Sequence, residues 1–332
     1  MLSLHRNENS LGLSPSVRAI LQSMSHQAYG YPAELLSPLR NRLAQQYKTS
    51  TSQVICGAGS TDVLRMALQA LALRPDVRLF CSVPFYPRVK SLTRHHLPMT
   101  QVPLDSHLCV DIDALWHAVA AYRGNAVVYL SNPDCHTGEL LRREVLLDWM
   151  REAGSRVFFI VDEAYMEFVP DATAHSLAEY VQPGVGNVLV LRTFSKAFGL
   201  AGLRIGYGLT AAENVRELSR FGAASTISLP AAGAALDALE DTEWLMHSRV
   251  LVDVSRALLI EGLDSLGLEY RSGYVNFVLH ALPCGGLPFR RSLRSRGVRV
   301  VYPVAGVPGW CRVAVGAPDE VSYYLDGLKS CM

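Results

Sequence analysis

The sequence contains no long apolar run, no block of like charges and no closely spaced pair of cysteines. No window reaches the roughly 18 uninterrupted apolar residues of a membrane-spanning helix, and MLSLHRNENSLGLS at the N-terminus is not expected to be a secretory signal. With 31 basic and 30 acidic side chains the net charge is +1, which argues against a nucleic-acid or membrane-surface partner. The 7 cysteines never form CxxC, which is typical of reduced thiols in a cytoplasmic protein.

Several catalytic motifs are also missing. The chain has no GxxxxGK[ST], no GxSxG and no cluster of His and Cys with metal-ligand spacing. The adjacent pair His95–His96 would point in two directions on a helix or a strand, so we interpret it as exposed rather than metal-binding. Tyr86 and Lys90 have the YxxxK spacing of short-chain dehydrogenases, but Pro87 argues against a helix that carries both.

The apolar pattern predicts an α/β protein with two domains. At 332 residues, 49% hydrophobic and 18% charged, the chain is long enough for a large domain and a smaller one. Short β-rich runs at 54–56, 77–81, 126–130, 157–161 and 188–192 alternate with helical patterns, which predicts a mostly parallel sheet covered on both faces. A Ser-Pro pair at 14–15 and another at 37–38 each predict the start of a helix.

The pattern of predicted helices and strands changes after about residue 210. A long helical pattern over 251–266 precedes short predicted strands near 274–279, 298–302 and 311–316, and a closing helix near 319–329. We therefore predict an N-terminal arm and helix (1–30) that pack with the small domain, a large domain (31–220) and a small α+β domain (221–332).

Polar residues follow each predicted strand of the large domain. GAGSTD (57–62), SVPFYP (82–87), SNPDCHTG (131–138), DEAY (162–165) and TFSK (193–196) come directly after the five runs. In open α/β sheets, ligands bind beyond the carboxyl ends of the strands, so these segments are expected to meet at one edge. The glycine-rich turn that enters a helix at 57–62 is suited to a phosphate, because backbone N–H groups and the helix dipole favour an anion there.

The combined set suits an aldehyde cofactor that carries a phosphate and a pyridine ring. A lysine amine, here Lys196, forms a Schiff base with an aldehyde. A carboxylate such as Asp162 keeps the ring nitrogen protonated, so that the ring accepts carbanion electrons. Hydroxyl groups and Arg204 can hold the phosphate. Each residue alone has an ordinary structural explanation; their joint position at strand ends favours the site.

On these residues the chain resembles the fold-type I, pyridoxal-phosphate-dependent class I/II aminotransferases, and in particular the histidinol-phosphate aminotransferases. The resemblance extends over nearly the whole chain: NEN (7–9), YGYP (29–32), GAGSTD, PFY, NPDCHTG, VDEAY, TFSKAFGLAGLRIGYG and RVAVG (312–316). It implies a large domain with a mostly parallel, seven-stranded sheet, a smaller α+β domain, a cytoplasmic homodimer, and an amino donor and a 2-oxo acid as substrates.

The resemblance also implies a role for each candidate site residue. Lys196 would be the Schiff-base lysine and proton shuttle, Asp162 the partner of the ring nitrogen and Tyr165 the partner of the ring hydroxyl. Tyr86 would stack on the ring. The phosphate would be held by Gly59, Ser60, Thr61, Thr193, Ser195 and Arg204, together with Tyr31 from a neighbouring subunit. Arg312 would clamp the substrate carboxylate, a task suited to a bidentate guanidinium, with Asn9 also near the substrate. Arg299 is a further substrate-binding candidate, from its spacing in an extended segment rather than from the resemblance.

Two positions depart from the family pattern. The usual NPNNPTG loop reads Asn132-Pro133-Asp134-Cys135-His136-Thr137-Gly138 here, so a thiol, which is a poor hydrogen-bond partner, takes the place of an asparagine at the ring oxygen. That contact would then fall to Tyr165 alone, to His136 or to Asn132. In GVRVV (297–301), Val301 stands where histidinol-phosphate enzymes commonly have a substrate-binding arginine; Arg299 lies two residues away.

The reaction type stays open at this point. Threonine-phosphate decarboxylases share the cofactor, and GVPGWCRVAVG (306–316) resembles their C-terminal pattern too. A homologue that binds the cofactor without catalysis is a third reading, against which the presence of Lys196, Asp162, Tyr165, Arg204 and Arg312 argues.

Overall fold

We analysed a computed structural model, which describes residues 1–27, 29–94, 97–181, 186–222, 226–282 and 286–330. His95, His96, Cys284 and Cys331 lie outside the described residues. The strands are β1 (Leu2–Ser3), β2 (Val54–Gly57), β3 (Val77–Val83), β4 (Met99–Pro103), β5 (Asn125–Ser131), β6 (Val157–Asp162), β7 (Val188–Thr193), β8 (Gly206–Thr210), β9 (Tyr270–Arg271), β10 (Phe277–Ala281), β11 (Val298–Arg299) and β12 (Trp310–Ala314).

Twelve α-helices connect and cover the strands of this part of the chain. They are α1 (Pro15–Met24), α2 (Ala33–Gln46), α3 (Ser60–Leu71), α4 (Pro87–Thr93), α5 (Ile112–Ala121), α6 (Arg143–Glu152), α7 (Ala172–His175), α8 (Ala212–Ser219), α9 (Leu229–Glu240), α10 (Thr242–Ser265), α11 (Gly286–Ser295) and α12 (Pro318–Lys329). In the described segments no helix is long and apolar enough to cross a membrane.

A seven-stranded sheet forms the larger part, in the order β2-β8-β7-β6-β5-β3-β4. Its strands run parallel except β8, which is antiparallel to both β2 and β7. Helices cover both faces, and the side chains of β6 show it: Phe159 and Val161 belong to one apolar cluster, Phe158 and Ile160 to the other. Burial on both faces explains why these strands read as continuous apolar runs. The predicted α/β fold with a mostly parallel sheet is confirmed.

The C-terminal part has its own small sheets and core. Strands β12, β10 and β9 form an antiparallel sheet, and β1 pairs in parallel with β11. The pairing of β1 ties the start of the chain to this part, while α1 packs against α9. Ala231 and Ala235 of α9 lie in the same apolar cluster as β6 and β7. The domain limits at 30/31 and 220/221 stay predictions.

The structure corrects one helix start. Ser14 does cap α1, since its hydroxyl accepts a hydrogen bond from the Val17 amide. The pair Ser37–Pro38, however, does not begin a helix: α2 starts at Ala33 and Pro38 lies inside it. Pro38 is the sixth residue of α2, beyond the first turn where a missing N–H costs nothing, so the helix forms around it with one backbone donor fewer. The five cysteines that are described, Cys56, Cys81, Cys109, Cys135 and Cys311, are free thiols.

Candidate active site

A cavity of about 980 Å³ opens at the carboxyl edge of the large sheet. Eleven of the candidate residues line it: Ser60, Thr61, Tyr86, Cys135, Asp162, Tyr165, Thr193, Ser195, Lys196, Arg204 and Arg312. They come from five strand ends and from the C-terminal part, as the topology of an open parallel sheet requires. The charged lining of the cavity comprises six cationic side chains and three acidic ones. The cationic residues are Arg6, Arg65, Arg88, Lys196, Arg204 and Arg312, and the acidic residues are Glu8, Asp62 and Asp162. The cavity therefore favours anionic ligands.

Four candidate residues do not line this cavity. Gly59 lies within the glycine turn as the N-cap of α3. Asn9 donates from Nδ2 to the Ala197 carbonyl (2.9 Å) and to Ser248 Oγ (2.7 Å), so its amide anchors the arm. Tyr31 is 82% exposed on the surface, and Arg299 is exposed on β11. Val301, two residues after Arg299, lines the cavity instead.

Lys196 lies directly after β7 and Phe194–Ser195, half-buried at the cavity wall. Its Nζ donates to the carbonyls of Arg6 (3.0 Å) and Asn7 (3.2 Å) and lies 5.6 Å from the centre of the Tyr165 ring. Burial, with the nearby Arg312 guanidinium, lowers the pKa of Lys196 to about 8. An amine with this pKa has a substantial neutral fraction near neutral pH, which a nucleophile needs.

Asp162 ends strand β6 and is buried. Burial raises the pKa of Asp162 to about 6, against the hydrogen bonds that it accepts from the Tyr129 hydroxyl (3.0 Å) and the Ala164 amide (3.2 Å). No cation is ion-paired with Asp162 among the described residues. A protonated ring nitrogen would supply the missing positive charge and favour the carboxylate.

The glycine turn brings Arg204 against the start of α3. Gly59 has φ +82°, and a Cβ there would lie 2.4 Å from Nη2 of Arg204. Within the described part of the chain, Arg204 donates to two backbone carbonyls, those of Ala201 (2.9 Å) and Ala58 (3.4 Å), and to no side chain. Since no acidic side chain of the described residues pairs with it, its charge is available to an anion at the α3 N-terminus.

Two hydroxyl pairs surround this anion site. Thr193 Oγ1 accepts from the Ser195 amide (3.1 Å) and donates to Ser195 Oγ (3.0 Å), which places both hydroxyls after β7. Thr61 Oγ1 and the Tyr86 hydroxyl are 3.0 Å apart. Tyr86 directly precedes α4, with Pro87 as the first helical residue, and Lys90 is not among the cavity residues. The hydroxyls and the guanidinium match the donors that a phosphate needs.

Asp134 shapes the loop that replaces NPNNPTG. Its Oδ1 accepts from the amides of His136 (2.9 Å) and Thr137 (2.8 Å) and from Thr137 Oγ1 (3.1 Å), and its Oδ2 from Ser131 Oγ (3.2 Å). Aspartate side chains commonly organise turns in this way. The loop therefore keeps a defined geometry without the second proline.

The ring-oxygen contact has three candidates from the sequence. The amide of Asn132 is committed to the backbone of Leu141, whose N–H lies 2.8 Å from Oδ1. His136 Nδ1 lies 3.1 Å from Cys135 Sγ, and burial lowers the pKa of His136 to about 4, so its ring is neutral. Both His136 and Tyr165 line the cavity, but the Tyr165 hydroxyl accepts a hydrogen bond from Asn7 Nδ2 (2.9 Å), which orients it and leaves its own proton to be donated. Tyr165 is therefore the candidate best placed to serve a ring oxygen.

Arg312 reaches the cavity from β12. Its Nη1 donates to the Cys135 carbonyl at 2.6 Å, and the guanidinium lies 5.1 Å from the centre of the Phe277 ring. Nε is buried and has no hydrogen-bond partner among the residues described. The remaining donors can bind a carboxylate, which is the ligand that a planar guanidinium fits best.

Several residues that were not predicted from the sequence hydrogen-bond to candidate side chains, among them Asn7, Arg6 and Tyr129. Asn7, rather than Asn9, contacts Tyr165, because its left-handed backbone (φ 54°) turns the arm at that residue. Arg6 joins it in the cavity wall and accepts from Lys196 through its carbonyl. Tyr129 holds Asp162 from within β5. The motif NEN pointed to the arm, but nothing local in the sequence separates its two asparagines.

Comparisons with known proteins place the chain in a family. A model described as "Aminotransferase class I and II" matches residues 1–328. The chain belongs to this family. Histidinol-phosphate aminotransferase 2 of Pseudomonas fluorescens is 31% identical over 334 residues, which is 100% of this chain and 89% of that protein. The histidinol-phosphate aminotransferase of Methylobacillus flagellatus is also 31% identical, again over 100% of this chain and 89% of its own length.

Solved structures agree with the family assignment. A crystal structure from Erwinia carotovora atroseptica has a TM-score of 0.93 and 30% identity and covers 99% of this chain and 95% of its own. The histidinol-phosphate aminotransferase of Sinorhizobium meliloti, solved with pyridoxal-5'-phosphate, has a TM-score of 0.89 and 23% identity, with 99% and 90% coverage. The fold is that of the fold-type I aminotransferases, as the sequence predicted, and the enzyme is a pyridoxal-phosphate-dependent aminotransferase of the histidinol-phosphate aminotransferase type.

The residues present fit this cofactor. The phosphate matches Ser60, Thr61, Ser195 and Arg204, the aldehyde matches Lys196, and the ring nitrogen matches Asp162, which lacks a paired cation among the described residues. The observation that decides the fit is geometric: Asp162, a buried carboxyl with no ion-paired cation among the described residues, lines the same cavity as Lys196 and Arg204. Each group is poised for a partner of the kind that the cofactor provides.

Proposed function

We propose that Lys196 is the residue that holds pyridoxal phosphate and moves the proton during amino-group transfer between an amino donor and a 2-oxo acid. The single observation that carries this proposal is the position of its amine in the cavity with Asp162, Tyr165 and Arg312. Its lowered pKa supports nucleophilic attack and proton transfer at the same nitrogen. In this proposal Asp162 and Tyr165 complete the catalytic set.

The cofactor, when bound, withdraws the electrons left at the substrate Cα into its ring. Asp162 holds the ring nitrogen in its protonated form, and the Tyr165 hydroxyl donates to the ring oxygen. Tyr86, in the cavity wall, would stack on the ring and exclude water from that face. Cys135 would not take over the hydrogen bond of the usual asparagine, because burial raises the pKa of its thiol and a neutral thiol is a weak donor.

The phosphate is held at the N-terminus of α3. Arg204 supplies the positive charge, and the surrounding hydroxyls orient the oxygens, from Ser60, Thr61, Thr193 and Ser195. Gly59 allows Arg204 to approach the turn. Tyr31, exposed on this chain, is proposed to reach the phosphate of a partner subunit in a homodimer. The free thiols of the described cysteines support the proposal of a cytoplasmic location.

Arg312 binds the carboxylate of the substrate or of the 2-oxo acid. The Cys135 carbonyl accepts from Nη1, and the Phe277 ring lies against one face of the guanidinium. The remaining N–H donors are left for the ligand. An amino acid, or an amino alcohol phosphate such as the histidinol phosphate in the names of the relatives, fits a cavity with an excess of cations. Val301 in the cavity wall cannot bind an anion at that position as an arginine would.

The test of this function is a panel of amino donors incubated with 2-oxoglutarate and the cofactor, with keto acid and CO₂ both measured. Keto acid without CO₂ supports transamination. CO₂ without keto acid would assign a decarboxylase of the threonine-phosphate type, and no turnover with any donor that binds would assign a non-catalytic homologue.

The residue assignment has a separate test. Wild type, Lys196→Ala and Lys90→Ala are mixed with pyridoxal phosphate, reduced with borohydride and digested for mass spectrometry. Lys90, exposed on α4, is the matched control. We expect a reduced adduct at residue 196 in wild type and in Lys90→Ala. A stoichiometric adduct at another lysine in Lys196→Ala, with activity retained, would refute the role of Lys196.

A further inference from the structure

Tyr129 lies behind the candidate site rather than in it. It is 1% exposed in strand β5 and does not line the cavity, yet its hydroxyl lies 3.0 Å from Oδ2 of Asp162. In the parallel pairing of β5 with β6, Tyr129 is opposite Ile160 and Ser131 is opposite Asp162. Because side chains two residues apart share a face of a sheet, Tyr129 and Asp162 lie on the same face, one step apart along the strands.

The hydroxyl of Tyr129 acts as a permanent donor. Burial, with the adjacent Asp162 charge, raises the pKa of Tyr129 well above its usual value, so the phenol stays protonated. Its ring belongs to the apolar cluster with Leu79, Phe158 and Ile160. A buried phenol requires a hydrogen-bond partner, and Asp162 is the partner that the structure provides.

Asp162 is thereby held at both oxygens. The Ala164 amide donates to Oδ1 and Tyr129 to Oδ2, which fixes the plane of the carboxyl group. The other charged and titratable groups that interact with it are Lys196, Glu163, the Tyr165 hydroxyl and the thiol of Cys135, and burial keeps the hydroxyl and the thiol protonated. Glu163 is turned to the opposite side, where Arg192 Nη1 binds its Oε2 at 2.7 Å.

We propose that Tyr129 is a positioning residue, whose hydroxyl keeps Asp162 ionised and aimed so that its carboxylate can hold the ring nitrogen of the bound cofactor. The inference rests on the proposed role of Asp162. Tyr129 touches neither cofactor nor substrate; it acts through Asp162.

The direction of the effect follows from the hydrogen bond. Without the phenol the carboxylate loses one of its two donors, so protonation of Asp162 becomes easier and its pKa rises further. The shared proton then moves from the ring nitrogen toward the carboxyl. A ring that is less often protonated withdraws electrons less well, so kcat falls more than KM rises.

The experiment compares Tyr129→Phe with Tyr207→Phe. Tyr207 is also 1% exposed in a central strand of the sheet, but its hydroxyl pairs with the Tyr47 hydroxyl (2.7 Å) and not with Asp162. We measure the dissociation constant of pyridoxal phosphate by fluorescence of the apoprotein, and the pH midpoint of the cofactor absorbance. For Tyr129→Phe we expect roughly tenfold weaker binding, in line with the loss of one charged hydrogen bond, and a shifted midpoint. Tyr207→Phe should change neither.

Two further measurements separate positioning from general damage. In an Asp162→Asn background, adding Tyr129→Phe should change the dissociation constant less than twofold, since the coupling partner is gone. A cofactor analogue with carbon in place of the ring nitrogen should bind wild type and Tyr129→Phe equally. If Tyr129→Phe fails to fold, 3-fluorotyrosine placed at position 129, a stronger donor of the same shape, should shift the midpoint in the opposite direction.

The outcomes distinguish this inference from the proposed function. A Tyr129→Phe protein with wild-type cofactor affinity, absorbance midpoint and kcat would overturn the role of Tyr129 and leave the aminotransferase intact. Equal losses with pyridoxal phosphate and with the carbon analogue would also overturn it. A wild-type protein that shows no cofactor absorbance at all would refute the proposed function instead.

Discussion

Replacement of Asp134 tests whether one buried carboxylate replaces the missing proline of the loop. Asp134 is 2% exposed and accepts hydrogen bonds from two backbone amides, those of His136 and Thr137, and from two hydroxyls. In Asp134→Ala both amides lose their partner. A buried, unsatisfied polar group costs about 1–3 kcal/mol, so for the two amides we expect the free energy of unfolding to fall by about 4 kcal/mol.

This loss of stability can be measured as a fall in the melting temperature Tm. At about 2.1 cal/mol/K per residue, the entropy of unfolding of 332 residues is about 0.7 kcal/mol/K, so Asp134→Ala should lower Tm by about 6 °C. Asp134→Asn keeps an acceptor at Oδ1, and its new amide can donate to Ser131 Oγ; we expect about a third of the effect. The measurement is thermal unfolding of cofactor-free protein by circular dichroism, because a bound ligand would shift Tm by mass action.

Asp148→Ala provides the control. Asp148 is an exposed acid on α6 whose ion pair with Arg151 is worth about 0–1 kcal/mol, so its removal should leave Tm within about 1 °C of wild type. If Asp134→Ala melts with wild type, or if Asp134→Asn is as unstable as Asp134→Ala, the loop does not depend on these acceptor bonds and the reasoning is wrong.

Three other changes test the site and its support. Arg312→Ala should raise KM for substrates with a carboxylate by about 10- to 150-fold, the worth of about 1.5–3 kcal/mol for a charged hydrogen bond, and an unchanged KM would place the carboxylate elsewhere. Because the pKa of Lys196 is lowered to about 8, its neutral fraction grows as pH rises; capture of the cofactor by apoprotein, followed by absorbance, should accelerate about tenfold per pH unit below 8 and level off above it. A rate that still climbs above pH 10 would contradict this pKa. Arg192→Met leaves Glu163 and Glu167 buried without their cation and should cost about 3–5 kcal/mol in urea unfolding. The triple variant with both glutamates changed to Gln should recover most of it; equal stability of the single and triple variants would refute the charge argument.

Five of the seven strands of the large sheet were predictable from local sequence, and β4 and β8 were not. Strands β5, β6 and β7 are buried on both faces, so each reads as an unbroken apolar run that ends in a polar residue. Strand β8 was not predicted, since GYGLT at 206–210 has two glycines and little apolar pattern. Glycine is required there by contacts with residues that are distant in sequence. A Cβ at Gly206, for example, would lie 2.3 Å from the Ser60 amide nitrogen.

The site was predictable only to the level of its motifs. Residues at strand ends, such as Asp162 and Lys196, were found because parallel strands bring their carboxyl ends together. Residues that come from elsewhere were not. Tyr129 is indistinguishable from a core aromatic in the sequence, because its role depends on the register of β5 against β6. Arg299 was chosen by its spacing from Val301, but the side chain that faces the cavity is that of Val301.

The departure at position 135 bears on activity less than its place in the motif indicates. Arg312 is held by the carbonyl oxygen of Cys135, and the Cys135 amide donates to Ser131 Oγ (3.1 Å), so both contacts come from the main chain. Any residue at 135 would provide them, provided that the loop keeps its path. The side chain alone differs, and in the proposed site the contact that an asparagine would make would fall to Tyr165, whose hydroxyl already accepts a hydrogen bond from Asn7. We therefore expect a thiol at this position to cost one hydrogen bond to the ring oxygen and to leave the proposed binding of a substrate carboxylate by Arg312 unchanged.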